Sequence, residues 1–216
     1  MEEIKETCYK GTRILVGNEK RELINNMSKI LIDDGFIEIS IPIIQYQEIF
    51  TNKVGEENNN LMFNFIDRGD RNLCLAPEYT AIIQQLAKTI FKDKKDVKLF
   101  YIQECFRGEK PQAGRYRQFT QLGVEILNPT KDYMIDNRDC IYRLAEDLIH
   151  DCIPLDPDYT NTNLNVTRGL DYYKNGKGFE IVCDKLGSSK QVCGGGEYEG
   201  GIGFAIGIDR LLNLIK

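Results

Sequence analysis

The sequence has a single histidine, and none of its seven cysteines lies in a CxxC spacing. Structural zinc sites use cysteine and histidine ligands in closely spaced pairs, so we expect no metal ligands from the protein. The cysteines are odd in number and scattered, which favours reduced thiols over a disulfide framework. The histidine, His150, ends a predicted helix far from any motif and is interpreted as structural.

The sequence also has no apolar run near the ~20 residues that a membrane-spanning helix needs. Its first residues, MEEIKETCYKG, lack the basic-then-apolar order of a signal peptide. We therefore expect a cytoplasmic protein that makes no contact with a membrane.

Positive charge is not in excess either, since 28 Lys and Arg face 33 Asp and Glu for a net charge of −5. This balance argues against a general polyanion-binding protein, but it permits one basic surface on an acidic body. The content of 42% hydrophobic and 28% charged residues is ordinary for a globular chain. The 216 residues suffice for one domain, or for one domain with a small insertion.

One segment, FRGEKPQAGRYRQFTQ at residues 106–121, combines cations with turn-forming residues and aromatic rings. A solvated basic face is usually all charge with little glycine, whereas here the glycines and the proline predict a loop between two strands. Arginine forks suit phosphate because they bind it bidentately, and a neighbouring aromatic ring offers a face to a base. The segment therefore predicts a nucleotide site; its cations are Arg107, Lys110, Arg115 and Arg117.

Hydrophobic periodicity predicts an α+β fold with a largely antiparallel sheet and helices packed on one side of it. Pro42 places its strand at a sheet boundary, which suits a subunit interface. Helices are predicted at 19–33, 79–92, near 136–150 and after the glycine-rich strand that starts at 201. Strands are predicted at 36–44, 99–106, 118–127, 164–168, 177–184 and 189–194, with a hairpin at 61–75 and a polar loop at 151–163.

Several segments, in the family's order, resemble the catalytic core of class II aminoacyl-tRNA synthetases, most closely the histidyl-tRNA synthetases. YKGTR and GFIEISIPII resemble the family's opening and its first motif, which supports dimerisation. FRGEKPQAGRYRQFTQLGVE resembles the second motif and GFAIGIDRL the third. TRGLDYY and GGGEYEGG resemble two blocks peculiar to the histidine enzymes. The resemblance implies the class II fold, a mostly antiparallel sheet flanked by helices, and a homodimer.

The resemblance also implies ATP, accompanied by Mg²⁺ on its outer phosphates. Arg107 would hold the α-phosphate, Arg210 the γ-phosphate, and Arg168 would bridge the substrate carboxylate and the α-phosphate. Preorganised cations at the reacting phosphorus are often the largest catalytic contribution, and orientation of the two reactants adds to it. The remaining implied ATP contacts are Glu109 with the adenine amino group, Phe119 stacked on the ring, and Arg115 on the phosphates.

A histidine pocket is implied in the same way, with Glu78, Thr80 and Gln121 on the ammonium group and Glu125, Tyr173 and Tyr198 around the imidazole. Gln121 and Glu125 lie four residues apart on one strand, so both side chains face the same way. A buried acid facing a ring N–H makes a bond of about 1.5–3 kcal/mol, and a ligand without that N–H is rejected. Taken alone, each tyrosine also suits a core aromatic and Glu125 a surface acid.

The resemblance has three departures. The sequence ends six residues after Arg210 without a counterpart of the family's anticodon-binding domain, and the usual insertion before TRGLDYY shrinks to 151–163. We therefore expect a single catalytic-core domain, 1–216. APEYT and GGEYEG replace the usual RPEGT and GGRYDG, which puts Ala76, Tyr79 and Glu197 at altered positions. These changes bear on tRNA binding more than on adenylate formation.

Three functions are compatible with this sequence. The first is a ligase that activates histidine and charges the acceptor end of tRNA. The second is the same activation with a different acceptor. The third is a non-catalytic histidine sensor that resembles the regulatory subunit of ATP phosphoribosyltransferase. Such a sensor has less reason to keep the three arginines at 107, 168 and 210 together, so catalysis is favoured.

Overall fold

A computed structural model describes residues 8–51, 53, 59–112, 114–135, 140–154, 157–167, 173–187 and 190–215. The helices are α1 (Glu19–Asp33), α2 (Glu48–Thr51), α3 (Thr80–Lys88), α4 (Ile141–Cys152) and α5 (Ile208–Leu211). The strands are β1 (Ile37–Glu38), β2 (Ile44–Tyr46), β3 (Phe63–Ile66), β4 (Asn72–Leu75), β5 (Val97–Phe106), β6 (Gln118–Leu127), β7 (Thr160–Val166), β8 (Tyr173–Cys183), β9 (Gln191–Tyr198) and β10 (Gly201–Gly207). Within these ranges, no helix has the combination of length and apolar character that crossing a bilayer demands.

Most strands join one seven-stranded sheet in the order β1-β5-β6-β10-β9-β8-β7. Only the β1–β5 pair of this sheet is parallel, and all its other pairs are antiparallel. A separate three-stranded antiparallel sheet has the order β2-β4-β3. The prediction of an α+β fold with a mostly antiparallel sheet is confirmed.

The central hairpin of the large sheet frames the basic segment. Strands β5 and β6 pair over their full length, from Val97 opposite Leu127 to Phe106 opposite Gln118. Both strands are rich in apolar and aromatic residues, which pack well on the two faces of a buried sheet. Residues 107–117, called the basic loop below, therefore connect two rigid strands at one end of the sheet.

The large sheet is covered on both faces. Alternate residues of a strand face opposite sides, and Phe100 accordingly packs in the cluster that holds α1 and α4. Its neighbours Leu99 and Tyr101 pack in a second cluster with Ile83 of α3 and Cys74 of the small sheet. The prediction that the helices pack on one side is therefore wrong, because α3 and the small sheet cover the opposite face.

The polar stretch 151–163, predicted as a loop, is partly helix and partly strand in its described residues. Helix α4 continues to Cys152, a 3-10 turn spans Pro157–Tyr159, and β7 begins at Thr160. Thr160 lies 3.1 Å from the ring Nε2 of His150, and Thr162 donates a hydrogen bond to Glu146. Thr160 and Thr162, at alternate positions, thus fix an edge strand to α4, although the polarity of this segment suggested a loop. The contact also agrees with a structural role for His150.

The predicted strand 36–44 is divided between the two sheets. Ile37 and Glu38 pair with β5, whereas Ile44 begins β2 of the small sheet. Pro42 lies between them and has no N–H for a ladder, which explains why one continuous strand does not form.

Gly123 tests the packing behind the central hairpin. It lies opposite Tyr101, and a Cβ added there would be 2.0 Å from the ring Cζ. Tyr101 is 1% exposed and has no room to retreat. We expect Gly123→Ala to lower the free energy of unfolding by about 1–3 kcal/mol in urea denaturation. Gly187→Ala is the control, since a Cβ there meets nothing within 4 Å. Equal stability of the two variants would contradict this packing.

Candidate active site

A cleft opens where the basic loop, the first turns of α3 and α5, and strands β6, β8, β9 and β10 meet. Polar and charged side chains converge on it from segments far apart in the sequence. Nine of the predicted site residues line its wall: Glu78, Thr80, Arg107, Glu109, Arg115, Phe119, Gln121, Tyr173 and Arg210. The fold therefore gathers most of the predicted site into one concave surface.

Backbone carbonyl groups hold two cations of the cleft, Arg107 and Arg210. The Nε of Arg107 donates to the carbonyl of Pro77 at 2.9 Å, and its guanidinium lies 5.3 Å from the centre of the Phe119 ring. The Nε of Arg210 donates to the carbonyl of Gly114 at 3.1 Å, and its Nη1 donates to that of Gln191. A guanidinium has five N–H donors, so these bonds fix each fork and leave donors for an anion.

These cations also influence one another. Burial lowers the pKa of Arg210, and the nearby Arg115 and Arg107 lower it further, while Glu109 acts in the opposite direction. Arginine keeps its charge in spite of such shifts. This end of the cleft therefore concentrates positive charge in a partly desolvated place, where an anion such as phosphate is stabilised.

Glu109 and Arg115 form an ion pair at this end. Arg117, the third arginine of the basic loop, instead donates to the carbonyl of Glu109 at 3.0 Å and to the hydroxyl of Tyr9 at 2.6 Å. Arg117 is absent from the lining of the cleft. The predicted partners of Glu109 and Arg115, adenine and phosphate, would have to replace this ion pair.

The opposite end of the cleft is acidic. Glu78 is 4% exposed and accepts the amide N–H of Ala81 with both oxygens, at 3.1 and 3.3 Å, in the first turn of α3. Glu125 is 1% exposed and accepts from Thr80 Oγ1 at 3.2 Å and from the hydroxyl of Tyr198 at 2.7 Å. The interpretation of Glu125 as a surface acid is therefore wrong.

Glu125 and Tyr198 stand behind the wall of the cleft, in contact with residues that form it. Thr80 links Glu125 to the wall, and the Tyr173 ring meets the Tyr198 ring edge-on at 6.3 Å. Burial raises the pKa of Glu125 to about 8, with a smaller increase from Glu78, against the lowering effect of its two hydroxyl donors. A cation or an N–H group in the cleft would favour the ionised form of this carboxyl.

Arg168 and residues 169–172 of the TRGLDYY block lie outside the described residues. The predicted role of Arg168 therefore stays a prediction. Two unpredicted residues also belong to the site. Asp209 is 5% exposed and accepts the backbone N–H of Thr120 at 2.6 Å. Gln191 supplies the carbonyl that holds Arg210. An acid directly before Arg210 in an apolar segment signalled Asp209, but a backbone acceptor such as Gln191 leaves no signal in a sequence.

The altered motif positions lie away from the lining of the cleft. Tyr79 is fully buried, packs at an angle of 51° against the Tyr101 ring with ring centres 5.3 Å apart, and donates to the carbonyl of Glu104 at 2.9 Å. Ala76 is buried beside it in the same cluster. Glu197 forms an ion pair with Lys174 of β8. The charge reversal at 197 is thus compensated locally and does not reach the cationic end of the cleft.

The three-glycine run also divides into different roles. Gly194 lines the cleft, which agrees with a close backbone approach beside a ligand. Gly195 faces protein instead, since a Cβ there would be 2.4 Å from the carbonyl of Gly203. The second glycine is therefore required by the packing of β9 on β10.

Comparison with solved structures places this fold among known proteins. The apo structure of histidyl-tRNA synthetase from S. aureus matches with a TM-score of 0.75 at 23% identity, over 97% of this chain and 70% of that one. An ATP phosphoribosyltransferase regulatory subunit/histidyl-tRNA synthetase from Bacillus halodurans C matches with a TM-score of 0.75 at 16% identity, over 100% and 84%. The fold is that of the class II aminoacyl-tRNA synthetase catalytic core.

Sequence comparison identifies the family within this class. The family model for histidyl-tRNA synthetase matches residues 17–133, more than half of the chain, so the chain belongs to the histidyl-tRNA synthetase family. A histidine–tRNA ligase of Clostridioides difficile (strain 630) is 27% identical over 307 aligned residues, which cover 94% of this chain and 73% of that protein. Because the alignment exceeds the 216 residues of this chain, the relative has internal residues without a counterpart here.

The raised pKa of Glu125 predicts a pH-dependent stability. In the folded state the Glu125 carboxyl keeps its proton up to about pH 8, whereas in the unfolded chain it releases the proton above its usual pKa of 4.5. The contribution of this group to the free energy of unfolding is therefore full below pH 4.5 and is lost as pH rises through about 8. We expect the free energy of unfolding of the wild type to fall, relative to Glu125→Gln, by a few kcal/mol across this window. Urea denaturation between pH 5 and 8.5 measures it, with the exposed Glu22→Gln as control. A constant difference between wild type and Glu125→Gln would contradict the burial of this group.

Proposed function

We propose that this protein activates histidine with ATP to form histidyl-adenylate and transfers the histidyl group to tRNA(His). The observation that carries the proposal is the distribution of charge in one cleft. Arg107, Arg115 and Arg210 line one end, and Glu78 lines the other, with Glu125 buried behind the wall there. The negative phosphates of ATP are complementary to the cationic end, and the ammonium group of an amino acid is complementary to the acidic end. The two substrates would therefore fit side by side in the cleft.

At the cationic end, the phosphates would lie against the three arginines, with the base on Phe119. Glu109 and Asp209, carboxylates at this end, are paired with Arg115 and Arg13. The described residues therefore fit Mg²⁺ carried by the phosphates better than an ion held by the protein. When bound, Mg²⁺ would screen the charge of the outer phosphates.

Binding of ATP would exchange partners in the Glu109–Arg115 ion pair. Arg115 would turn to the phosphates, which leaves the Glu109 carboxylate to accept from the adenine amino group. Both side chains line the cleft and the pair is partly exposed, so its loss costs little. The nucleotide end of the cleft is thus built to rearrange.

At the acidic end, Glu78, Thr80 and Gln121 would bind the ammonium group, and Glu125 and Tyr173 the imidazole, with Tyr198 holding Glu125. A carboxylate oxygen of histidine then attacks the α-phosphorus, and the bond to the β-phosphate oxygen breaks to release pyrophosphate. Arg107 would stabilise the charge that develops on the α-phosphate, together with the sequence-predicted Arg168. A terminal hydroxyl of tRNA would next attack the acyl carbon and release AMP. The proposed place of this reaction is the cytoplasm.

A second candidate is a non-catalytic histidine-binding protein. The likeness in fold to the protein from Bacillus halodurans, which is described as a regulatory subunit/histidyl-tRNA synthetase, supports it. The cationic end of the cleft argues against it, because histidine binding alone has no use for three clustered arginines.

Histidine-dependent exchange of labelled pyrophosphate into ATP tests the proposal. We expect Arg107→Ala and Arg168→Ala to lower the exchange about 100-fold or more, because each removes a cation from the reacting phosphate. Glu125→Gln should raise KM for histidine at least about 10-fold with KM for ATP little changed, since the lost bond contacts only the amino acid. Arg71→Ala, which breaks the exposed pair with Asp67, is the matched control.

The outcomes separate the candidate functions. Histidine binding without exchange, measured with saturating ATP, would establish the non-catalytic candidate. Exchange in the presence of all twenty amino acids singly would show whether histidine is the substrate. Supplying tRNA and measuring an alkali-labile histidyl ester then tests the acceptor, and the yield should fall steeply with salt. Exchange without any ester would mean that the acceptor is a different molecule.

We also propose a homodimer that uses the outer face of the small sheet. Tyr46 and Phe65 flank Leu73 in one row, and Ile44 lies two residues from Tyr46 on the same face. Ile44, Tyr46 and Phe65 are 56%, 48% and 38% exposed. An exposed apolar face of this kind typically marks a protein interface.

Substitutions on this face test the dimer. We expect Ile44→Asp to convert the dimer to a monomer, because a buried carboxylate without a partner opposes association. Light scattering coupled to gel filtration measures the change. Ile90→Asp is the control, since Ile90 is 72% exposed in the turn after α3 and is not part of the small sheet. A dimer that survives Ile44→Asp would place the interface elsewhere.

A further inference from the structure

Arg13 precedes α1 and binds two elements of the cleft that are distant in the sequence. Its Nη2 donates to Asp209 Oδ1 at 2.7 Å and to the Asp209 carbonyl at 3.2 Å. Its Nη1 donates to the Tyr116 hydroxyl at 3.0 Å and to Asn213 Oδ1 at 3.3 Å. One guanidinium thus joins the basic loop to the turn at α5.

The Arg13 guanidinium also stacks on the Tyr116 ring, 4.2 Å from its centre. A planar fork that donates along two edges and stacks through its face needs arginine, because lysine has neither the plane nor the fork. Arg13 is absent from the lining of the cleft, whereas Tyr116 and Asp209 are part of it. Arg13 therefore acts on the cleft from behind.

Asp209 transmits this contact to Arg210. One oxygen of its buried carboxylate accepts from Arg13, and the other accepts the backbone N–H of Thr120 at the start of β6. The carboxylate is thus fixed between two elements. Because Arg210 is the next residue along the chain, the position of its backbone is set by the same two bonds.

Tyr116 transmits the contact to the basic loop, where it lies between Arg115 and Arg117. In a second pair the arginine comes from the basic loop and the tyrosine from the segment before α1. The Arg117 guanidinium lies 5.2 Å from the centre of the Tyr9 ring. The backbone N–H of Arg117 also donates to the carbonyl of Gly11 at 2.6 Å. Segment 9–13 and the basic loop therefore hold each other through two reciprocal stacks.

We propose that Arg13 is a positioning residue that fixes the basic loop and the α5 turn relative to each other, so that Arg115 and Arg210 are spaced for a triphosphate. The proposal rests on the proposed function, in which this end of the cleft binds ATP. Arg13 itself is neutralised by Asp209 and does not touch the phosphates. Its loss would leave Asp209 buried without its cation and release the loop from α5.

The test compares Arg13→Ala and Arg13→Lys with wild type. We expect Arg13→Ala to weaken ATP binding about 10-fold or more, because a displaced Arg115 or Arg210 no longer meets the phosphates. The change is measured as the dissociation constant of ATP in equilibrium dialysis and as KM for ATP in the exchange reaction. KM for histidine should stay within about twofold, since the acidic end is untouched. A purely structural defect would instead reduce the folded fraction and lower kcat at unchanged KM. Arg71→Ala is again the control.

Arg13→Lys covers the case in which Arg13→Ala does not fold. Lysine keeps a charge for Asp209 but not the fork, so we expect near-normal stability together with several-fold weaker ATP binding. Hydrogen exchange of the intact protein gives a readout without activity: amides of 115–120 and 208–213 should exchange faster in both variants. Unchanged ATP affinity in Arg13→Lys, or unchanged amide protection, would overturn the proposal.

The same measurements keep the two proposals apart. If wild type binds ATP without catalysing pyrophosphate exchange, the proposed function fails while the Arg13 proposal is still decided by ATP affinity and amide protection. If wild type catalyses exchange and the Arg13 variants match it in ATP affinity, only the positioning role fails.

Discussion

The antiparallel pairing of β6 with β10 is the constraint on which the site depends. It sets Gln121 opposite Gly207 and Glu125 opposite Gly203. A Cβ at position 203 would lie 1.8 Å from a carboxylate oxygen of Glu125. Because Gly203 has no side chain, there is space for the Glu125 carboxyl group to be buried beside Tyr198 and Thr80. A change of register by one residue would set Ile202 or Phe204 opposite Glu125 and fill that space.

Strand β6 also fixes the distance between the two ends of the cleft. Phe119, near its start, belongs to the cationic end, and Glu125, six residues further, to the acidic end. Because a strand is stiff and its side chains alternate, the separation between nucleotide and amino acid is a property of the backbone. The reactive groups of both substrates are thereby brought to one place, which is the part of catalysis that a rigid scaffold supplies.

Local patterns predicted much of the fold, and the family resemblance supplied most of the candidate site residues. The bounds of α1 and β6 agree with the apolar periodicity, and the motif residues near the basic loop do line one cleft. The strand predicted at 164–168 overlaps β7, but the polar residues from Thr160 onward were predicted as loop. The reason is that the contacts of Thr160 and Thr162 with α4 are not visible in any local pattern. Arg13 was missed because its ion pair with Asp209 spans 196 residues. The convergence of Arg168 with Arg107 and Arg210 stays a prediction.

Tyr79 gives the two ends of the cleft different mechanical characters. Its ring is enclosed against Tyr101, and its hydroxyl ties the start of α3 to β5. Glu78 and Thr80, on either side of it, are thus anchored through a side chain that a glycine would lack. An amino acid would meet a preformed socket there, whereas a nucleotide would have to reshape the loop facing it. The rigid end would then discriminate among amino acids by excluding side chains that do not fit it. Conformational change on binding would be confined to the nucleotide end.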